Sequence, residues 1–419
     1  MNTNLIKVGF FLAYRQVKRA NKWTTLLIVA VMTLTFLNLV VVNGVLVGLI
    51  ESSLQAFRER GVGDLIITKL DQKNQIEKSD EILTVLRNLP QVKLIATRYV
   101  GSGVLNLDYR KKLRADEKPN KAPAQIVGID PDSEIAMNDL SKYIKEGRYL
   151  TGYDTDGILV GANLVYKYTP IENAAFTTLK NIEAGTKLKV SIGDNAKEVT
   201  VVGIIKSKTD QIDSRVFMLD SEAKKLIGRP DANYDEISIK TDPKYGDQGV
   251  NDVKQILLNN SFDDNAKIQT WEDAQPKFLK DIASTFGLLG NMIGSIGLAV
   301  ASITIFIVIF VNAITRRKFI GILKGIGIAP KVIEISYIFQ SIFYAMTGVL
   351  IGLAILYGFL VPFINVHPIN FPFSDGILYA PVFGTIIRGI ILIITTIIAG
   401  FIPARMIVKK NTLDSILGR

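Results

Sequence analysis

Cysteine is absent from the 419 residues, and histidine occurs once, as His367 beside Pro368. No disulfide, thiolate metal site or cysteine nucleophile can form. Multi-histidine metal sites and Ser-His-Asp chemistry are nearly excluded for the same reason. No G-x-x-x-x-G-K-[ST] occurs either, so the chain has no P-loop with which to bind ATP. Asp154 and Asp156 in GYDTDG resemble the opening of a calcium loop, but the glutamate that closes such a loop is missing, and a turn is the better reading. Asp263-Asp264 sits in polar sequence, where solvated charge is the default. Nothing points to catalytic residues, a bound cofactor or a metal in this chain. It reads as no enzyme.

Acidic residues are missing from particular places. The formal net charge is +10, which by itself would suit nucleic acid or anionic lipid. Residues 1–22 hold five Lys/Arg and no acid, residues 314–331 hold five and no acid, and residues 405–419 hold four with one acid. These stretches contain 14 of the 49 basic residues and one of the 39 acidic ones, so the remainder is slightly acidic. All the excess lies beside apolar runs, as the positive-inside rule expects, and a nucleic-acid partner is not needed.

Charge itself is missing from long runs. Between Trp23 and Ile50 no residue is charged, and a span needs about 20 apolar residues. Further apolar runs cover about 283–315, 332–363 and 378–404. With 48% hydrophobic and 21% charged residues, the composition suits membrane spans joined to an ordinary soluble domain. The expected order is an amphipathic helix (1–22), a first span (23–50), an outer domain (51–282), a second span (283–315), a basic connecting segment (316–331), a third span (332–363), a short external loop (364–377), a fourth span (378–404) and a tail (405–419). In the N-terminal helix Leu5, Val8, Phe11 and Leu12 form the apolar side and Arg15, Lys18, Arg19 and Lys22 the basic end. Four spans place both termini on one side, and all three basic stretches fall there. That side is expected to be the cytoplasm.

The 51–282 stretch alternates strand-like and helix-like patterns. DLIIT (64–68), KLIATRYV (93–100), AQIVGI (124–129), KLKVSI (187–192), EVTVVGII (198–205), RVFML (215–219) and EISIK (236–240) read as strands, with helical patterns at 77–89, 134–143, 221–227 and 247–259. The fold class is therefore a four-span α-helical membrane protein carrying a large extracytoplasmic mixed α/β domain in two subdomains. The division expected joins 62–130 to 214–270 and inserts 131–213. Residues 110–123 read as a charged loop, and 169–182 as an apolar insertion that packs on its own domain.

Within the apolar runs, Gly44-x-x-x-Gly48, Gly290-x-x-x-Gly294 and Gly348-x-x-x-Gly352 place small residues one turn apart. Such faces let helices approach closely, within one chain or between two. Arg388 is the one cation deep in a run. It either faces protein or a wet cavity, or snorkels to the interface. Asn38, Asn43, Asn291, Asn312 and Gln340 read as helix–helix hydrogen-bonding positions.

This order of elements resembles the MacB/LolC-LolE (FtsX-like, type VII) permeases of ABC transporters over nearly the whole chain. The resemblance is most specific at RRKFIGILKGIGI (316–328), similar to the family's run of basic residues, an acid, then Ile-Gly-Ile-Leu-Lys-x-x-Gly. Phe319 stands where the family usually has Glu or Asp, so contact there is expected to be apolar. The ending PARMIVKKNTLDSILGR (403–419) looks like the family's close, with Asn411-Thr412 where a proline is common. LolC-type members insert a long hairpin between two outer strands to meet a lipoprotein carrier, whereas here GDNAK (193–197) joins them tightly.

The resemblance implies a permease subunit in the plasma or inner membrane, with both termini cytoplasmic, moved by two separate ABC ATPase subunits that carry the ATP and Mg. It implies coupling through Arg316, Arg317, Lys318, Phe319, Ile320, Gly321, Leu323, Lys324 and Gly327, with Ile320, Leu323 and Ile326 packed in an ATPase groove. It also implies a second permease copy or paralogue, contact with membrane lipid, and room for an extracytoplasmic adaptor or carrier. The activity implied is export or extraction of a lipid, lipoprotein or amphiphile by mechanotransmission. The alternative is an FtsX-like regulator of an external cell-wall hydrolase, although FtsX has a much smaller outer domain. A membrane-anchored scaffold without an ATPase would leave the glycine-bearing connecting segment unexplained.

Overall fold

The structure, a computed structural model, describes residues 3–111, 114, 117, 119–170, 177–371 and 374–409. It comprises two compact units. One contains residues 1–51, 280–370 and 375–419, and the other residues 52–279 and 371–374.

The first unit is helical. An N-terminal helix (Thr3–Lys18) precedes four helices long and apolar enough to cross a membrane: Lys22–Val62, Lys277–Thr315, Pro330–Val366 and Val382–Val408. A connecting helix, Arg317–Gly325, lies between the second and third. Each apolar helix continues past its apolar run at one end or both, because helical bonding is indifferent to the polarity of the flanking residues. Two contain π-helical turns, Phe57–Val62 and Leu356–Leu360. The second of these turns precedes Pro362, whose ring nitrogen cannot donate to the preceding turn.

The second unit is a ten-stranded mixed sheet with helices packed on it. Its strands are β1 Leu65–Thr68, β2 Val92–Asn106, β3 Lys121–Ile129, β4 Ile144–Gly147, β5 Gly157–Gly161, β6 Lys187–Ile192, β7 Asn195–Ile205, β8 Arg215–Leu219, β9 Glu236–Thr241 and β10 Lys267–Thr270. The order is β10-β1-β9-β2-β3-β8-β5-β7-β4, with β6 bridging β2 and β7. Side chains alternate between faces, as a strand's two-residue period requires. Ile126, Val160, Val216 and Met218 enter one buried cluster, whereas Val127, Leu159 and Phe217 enter another.

The long strand β2 changes partners midway. Val92–Arg98 pairs with β9, and Tyr99–Asn106 pairs with β3. The division between subdomains therefore falls inside β2. This corrects the division drawn from sequence, because β3 and β8 pair in parallel with each other and belong with the 131–213 strands. Strands β4, β5 and β10 escaped the sequence reading. They are four or five residues long, and GILVG is buried throughout, so it shows no alternation.

β6 and β7 are joined through Gly193-Asp194 alone, with Ile192 opposite Asn195 and positive φ at Gly193. Asp154 closes a turn by accepting both Arg148 guanidinium nitrogens at 2.6 Å and the Thr151 N–H at 2.8 Å. That pairing holds its carboxyl well below the usual range. In the 169–182 insertion, Thr178, Leu179 and Ile182 are buried against their own domain, and 171–176 lie outside the described residues.

Beneath β2 lies a buried charge network. Arg98 donates through Nε and Nη2 to both Glu134 oxygens, at 2.5 and 3.1 Å, and both side chains are 1% exposed. Its Nη1 donates to the Gly61 carbonyl at 3.1 Å and lies 3.5 Å from Glu236, which Arg215 grips at 2.8 and 3.0 Å. Two cations and two carboxylates balance, so the network is neutral. Removing one member strands an opposite charge. Glu134→Ala should destabilise the full-length protein by about 3–5 kcal/mol in thermal or denaturant unfolding, and Arg98→Met combined with Glu134→Leu should recover most of that. Full stability in Glu134→Ala would show that water reaches the site.

A second buried carboxylate makes a pH prediction. Asp213 is 3% exposed and accepts the Ser207 and Lys208 N–H groups at 2.6 and 2.8 Å. Burial pushes its carboxyl up to about 6. The folded state thus holds a proton that the unfolded chain, at about 3.9, has already released. This group's contribution is fully present below the unfolded value and is lost as pH rises through the folded one. Between pH 4 and 6.5 the wild-type protein should lose roughly 2–3 kcal/mol relative to Asp213→Asn. Parallel denaturation curves of the two proteins would overturn this.

Candidate functional site: the basic end of the helical unit

The connecting helix is set by its neighbours in sequence. The second apolar helix stops at Thr315, and three cations follow. The helix Arg317–Gly325 closes when Gly327 N–H donates to the Lys324 carbonyl at 3.1 Å and Ile328 N–H to the Leu323 carbonyl at 3.0 Å. This is a Schellman closure. It places Gly327 at φ +94, where an L side chain is strained. Pro330 then opens the third apolar helix at its first turn.

Helix packing brings the basic stretches to one end of this unit. A Cβ on Gly348 would lie 2.5 Å from Met32 Cβ, and one on Gly352 would lie 2.4 Å from Phe36. The first and third helices are therefore in close parallel contact. Thr396 of the fourth helix reaches the Met32 sulfur at 3.9 Å, and Gly400 abuts Ser341. Gly290 and Gly294 of the second helix lie beside Asn43 and Leu39. With these registers fixed, Lys22, Arg316, Lys331 and Arg405 fall at the same end. Lys324 Nζ donates to the Val408 carbonyl at 3.0 Å, tying the connecting helix to the end of the fourth apolar helix. The N-terminal helix packs along the third, with Gly9 against Ile335 and Phe10 edge-on to Phe339 at 5.5 Å. Gln340 donates to Gln16. Val8, Phe11 and Tyr14 are exposed, and Phe10 is only partly covered by its contact with Phe339.

Phe319, Ile320, Ile322, Leu323 and Ile326 span an apolar arc of roughly 160° around the connecting helix, at 3.6 residues per turn. The structure divides that arc. Ile320 and Leu323 are 3% and 7% exposed, inside the cluster containing Ile333, Tyr337, Ile407 and Val408, and Gly321 is buried beside them. Phe319, Ile322 and Ile326 are exposed at 48%, 53% and 71%. Of Ile320, Leu323 and Ile326, expected from sequence to pack in an ATPase groove, the first two are buried by their own bundle and Ile326 is exposed. Ile322 was missed, although its i, i+4 spacing to Ile326 carried the signal. Arg316 and Arg317 are half-buried, and Lys318 is exposed. Residues 410–419, including Asn411-Thr412, lie outside the described residues.

All six motif glycines are buried within the chain. Gly348 and Gly352 serve helix–helix contact. Gly44 and Gly48 instead receive the extended segment Ile377–Tyr379, whose Tyr379 N–H donates to the Gly44 carbonyl at 3.1 Å. Gly290 makes room for the Asn43 amide. That amide's oxygen accepts from Arg388 Nη2 at 2.7 Å, so Arg388 faces protein.

The sequence matches the FtsX-like permease C-terminal family over residues 291–412 and the MacB-like periplasmic core domain over residues 25–255, the latter more than half the chain. The chain belongs to the FtsX/MacB-type ABC transporter permeases. With four helices of spanning length, it is a multi-pass membrane protein of that family. An ABC transporter permease of Methanocaldococcus jannaschii is 24% identical over 66% of this chain and 65% of the relative. The Bacillus subtilis permease YtrF is 29% identical over 30% of each chain, and its permease YknZ is 22% identical over 39% of this chain and 42% of YknZ. The matches thus span less than two thirds of these relatives' own lengths. Among solved structures, the periplasmic region of MacB from Actinobacillus actinomycetemcomitans aligns at TM-score 0.35 and 14% identity, covering 52% of this chain and 92% of that one. The extracellular domain of YknZ aligns at 0.32 and 14%, covering 49% and 98%.

The divided arc makes a stability prediction for this FtsX-like permease. Ile320→Asp buries a charge in an apolar cluster and should cost several kcal/mol. Ile322→Asp, on the exposed half, should stay within about 0.5 kcal/mol of wild type. Thermal unfolding in detergent distinguishes them, and equal effects would mean that the arc is not divided.

Proposed function

We propose that this chain is the transmembrane subunit of an ABC transporter and that a separate ATPase grips the exposed half of its connecting helix. The observation that carries this reading is the exposed trio Phe319, Ile322 and Ile326, set among Arg316, Arg317 and Lys318 with no acidic residue between 314 and 331. A protruding apolar patch rimmed by cations is suited to a complementary groove in a partner. ATP and Mg belong to that partner, since the sequence has no P-loop. Two ATPases and a second permease, identical or paralogous, complete the assembly in this reading. The basic end, with both termini, faces the cytoplasm.

Closure of the ATPases then moves the helices flanking the grip, and the motion is passed to the extracytoplasmic domain. The substrate class proposed is a lipid, lipoprotein or other amphiphile handled from outside. The two-residue Gly193-Asp194 turn favours the non-lipoprotein members of that class. An FtsX-like role, activating an external cell-wall hydrolase, uses the same grip and differs only in what is moved.

The test is co-purification from native membranes. A Walker-motif protein should accompany the wild-type chain. Phe319→Asp combined with Ile322→Asp should reduce its recovery at least tenfold without changing thermal stability. Full recovery in that variant would sink the proposed grip, and absence of any ATPase from wild type would sink the transporter reading. Hydrolysis stimulated by an added amphiphile in reconstituted vesicles would favour transport over regulation.

A further inference from the structure

Where the N-terminal helix meets the first apolar helix, the chain makes a tight corner. Arg19 and Ala20 N–H groups donate back to the Arg15 and Val17 carbonyls, both at 3.1 Å, closing one helix. Asn21 then caps the next, its Oδ1 accepting the Trp23 N–H at 2.9 Å. Lys18 and Lys22 are thereby brought to either side of the corner. Beside them lies a cleft of about 280 Å³ whose walls are Val17, Leu26, Val29 and Phe343, with Lys18 and Lys22 also lining it.

The cleft therefore has an apolar wall and a doubly cationic side. Residues 1–50 contain no acid, and neither lysine has an ion-pair partner among the described residues. Lys18 lies 5.9 Å from the Tyr14 ring centroid, a contact that leaves its charge uncompensated. The first turn of the helix starting at Lys22 contains no acid, and the end of the helix dipole adds positive potential there. Tyr14 and Trp23 are 58% and 78% exposed, as suits amphipathic rings at headgroup depth. The volume is at the lower edge of small-ligand pockets, which run to roughly 300–1,000 Å³. It suits a headgroup with the upper part of one acyl chain rather than an entire amphiphilic substrate.

We propose that this cleft is a binding site for an anionic phospholipid, its phosphate between Lys18 and Lys22 and one acyl chain laid along Leu26, Val29 and Phe343. Because Phe343 belongs to the third apolar helix, the bound lipid joins the third helix to the N-terminal corner. The proposal rests on the membrane reading of the apolar helices. The proposed orientation enters only in making the leaflet cytoplasmic.

The probe is phosphatidylglycerol, compared with phosphatidylcholine of identical chains and added to the delipidated full-length protein in detergent. Native mass spectrometry reads bound lipid, and thermal unfolding reads the linked stabilisation. One phosphatidylglycerol should bind in clear preference to phosphatidylcholine. Lys18→Gln combined with Lys22→Gln should weaken it roughly 30-fold, from about 1 kcal/mol per cation. Lys7→Gln combined with Lys409→Gln removes the same charge elsewhere and should leave binding unchanged. Leu26→Asn should weaken both lipids without adding a charge beside the lysines. Equal binding of the two lipids, equal losses in the two double variants, or unaltered binding in Lys18→Gln/Lys22→Gln would each overturn the site. Alkaline extraction of native membranes is scored separately, and release of the chain there would overturn the membrane reading itself.

Discussion

Few groups are as demanding as a guanidinium sealed from water, and the outer unit is built around one. Arg98 sits where β2 changes partners, 1% exposed, and the desolvation of its charge must be offset by well-placed acceptors. Glu134 comes from the helix after β3, Glu236 from β9 and the Gly61 carbonyl from the π-helical end of the first apolar helix. Each acceptor is held only if its element lies within hydrogen-bond reach, so the guanidinium fixes three elements against the strand that joins the subdomains. Gly63, at φ +77, ends the helix there, and a Cβ on it would lie 2.7 Å from the Ile239 carbonyl oxygen. The helix end and the sheet are thus located by one charge and one missing side chain.

Close contact plays the corresponding part in the helical unit. Met32 and Phe36 rest on Gly348 and Gly352, and Ser341 rests on Gly400, at distances no larger residue would permit. Association in lipid gains little from hydrophobicity and depends on such packing and on polar pairs like Asn43–Arg388. The registers then place the basic residues together without any need for them to attract one another. Grouping of charge at one end is a consequence of packing, and membrane orientation would reinforce it.

Much of this was legible from sequence because it rests on periodicity and on charge position. The four apolar helices, seven of the ten strands in the outer unit and the connecting helix all announce themselves that way. What stayed hidden depends on pairing. Arg98 looks like any strand arginine until Glu134 and Gly61 arrive beside it. Arg388 and Asn43 are both recognisable as costly in a span, but 345 positions of sequence separate donor from acceptor. Gly44 and Gly48 carry a helix-packing pattern and instead admit an extended segment, a distinction that spacing does not encode. The subdomain boundary was misplaced because it runs through a continuous strand.

The connecting helix shows why an apolar arc is a different thing from an apolar face. Its five large hydrophobic residues look equivalent on a helical wheel, and only the bundle assigns them. Ile320 and Leu323 fix the helix to the third and fourth apolar helices, and Lys324 adds a hydrogen bond to Val408. Phe319, Ile322 and Ile326 are left on the other half. On the proposed reading, a load applied to the exposed half meets a helix already packed against two others, with Gly327 at positive φ closing its end. If a partner moves that half, as proposed, the displacement passes into those helices, because both halves belong to one nine-residue helix. An acid at position 319 would have offered a partner a screened charge, worth little at a surface. A phenylalanine there presents apolar area instead, whose burial added salt does not screen.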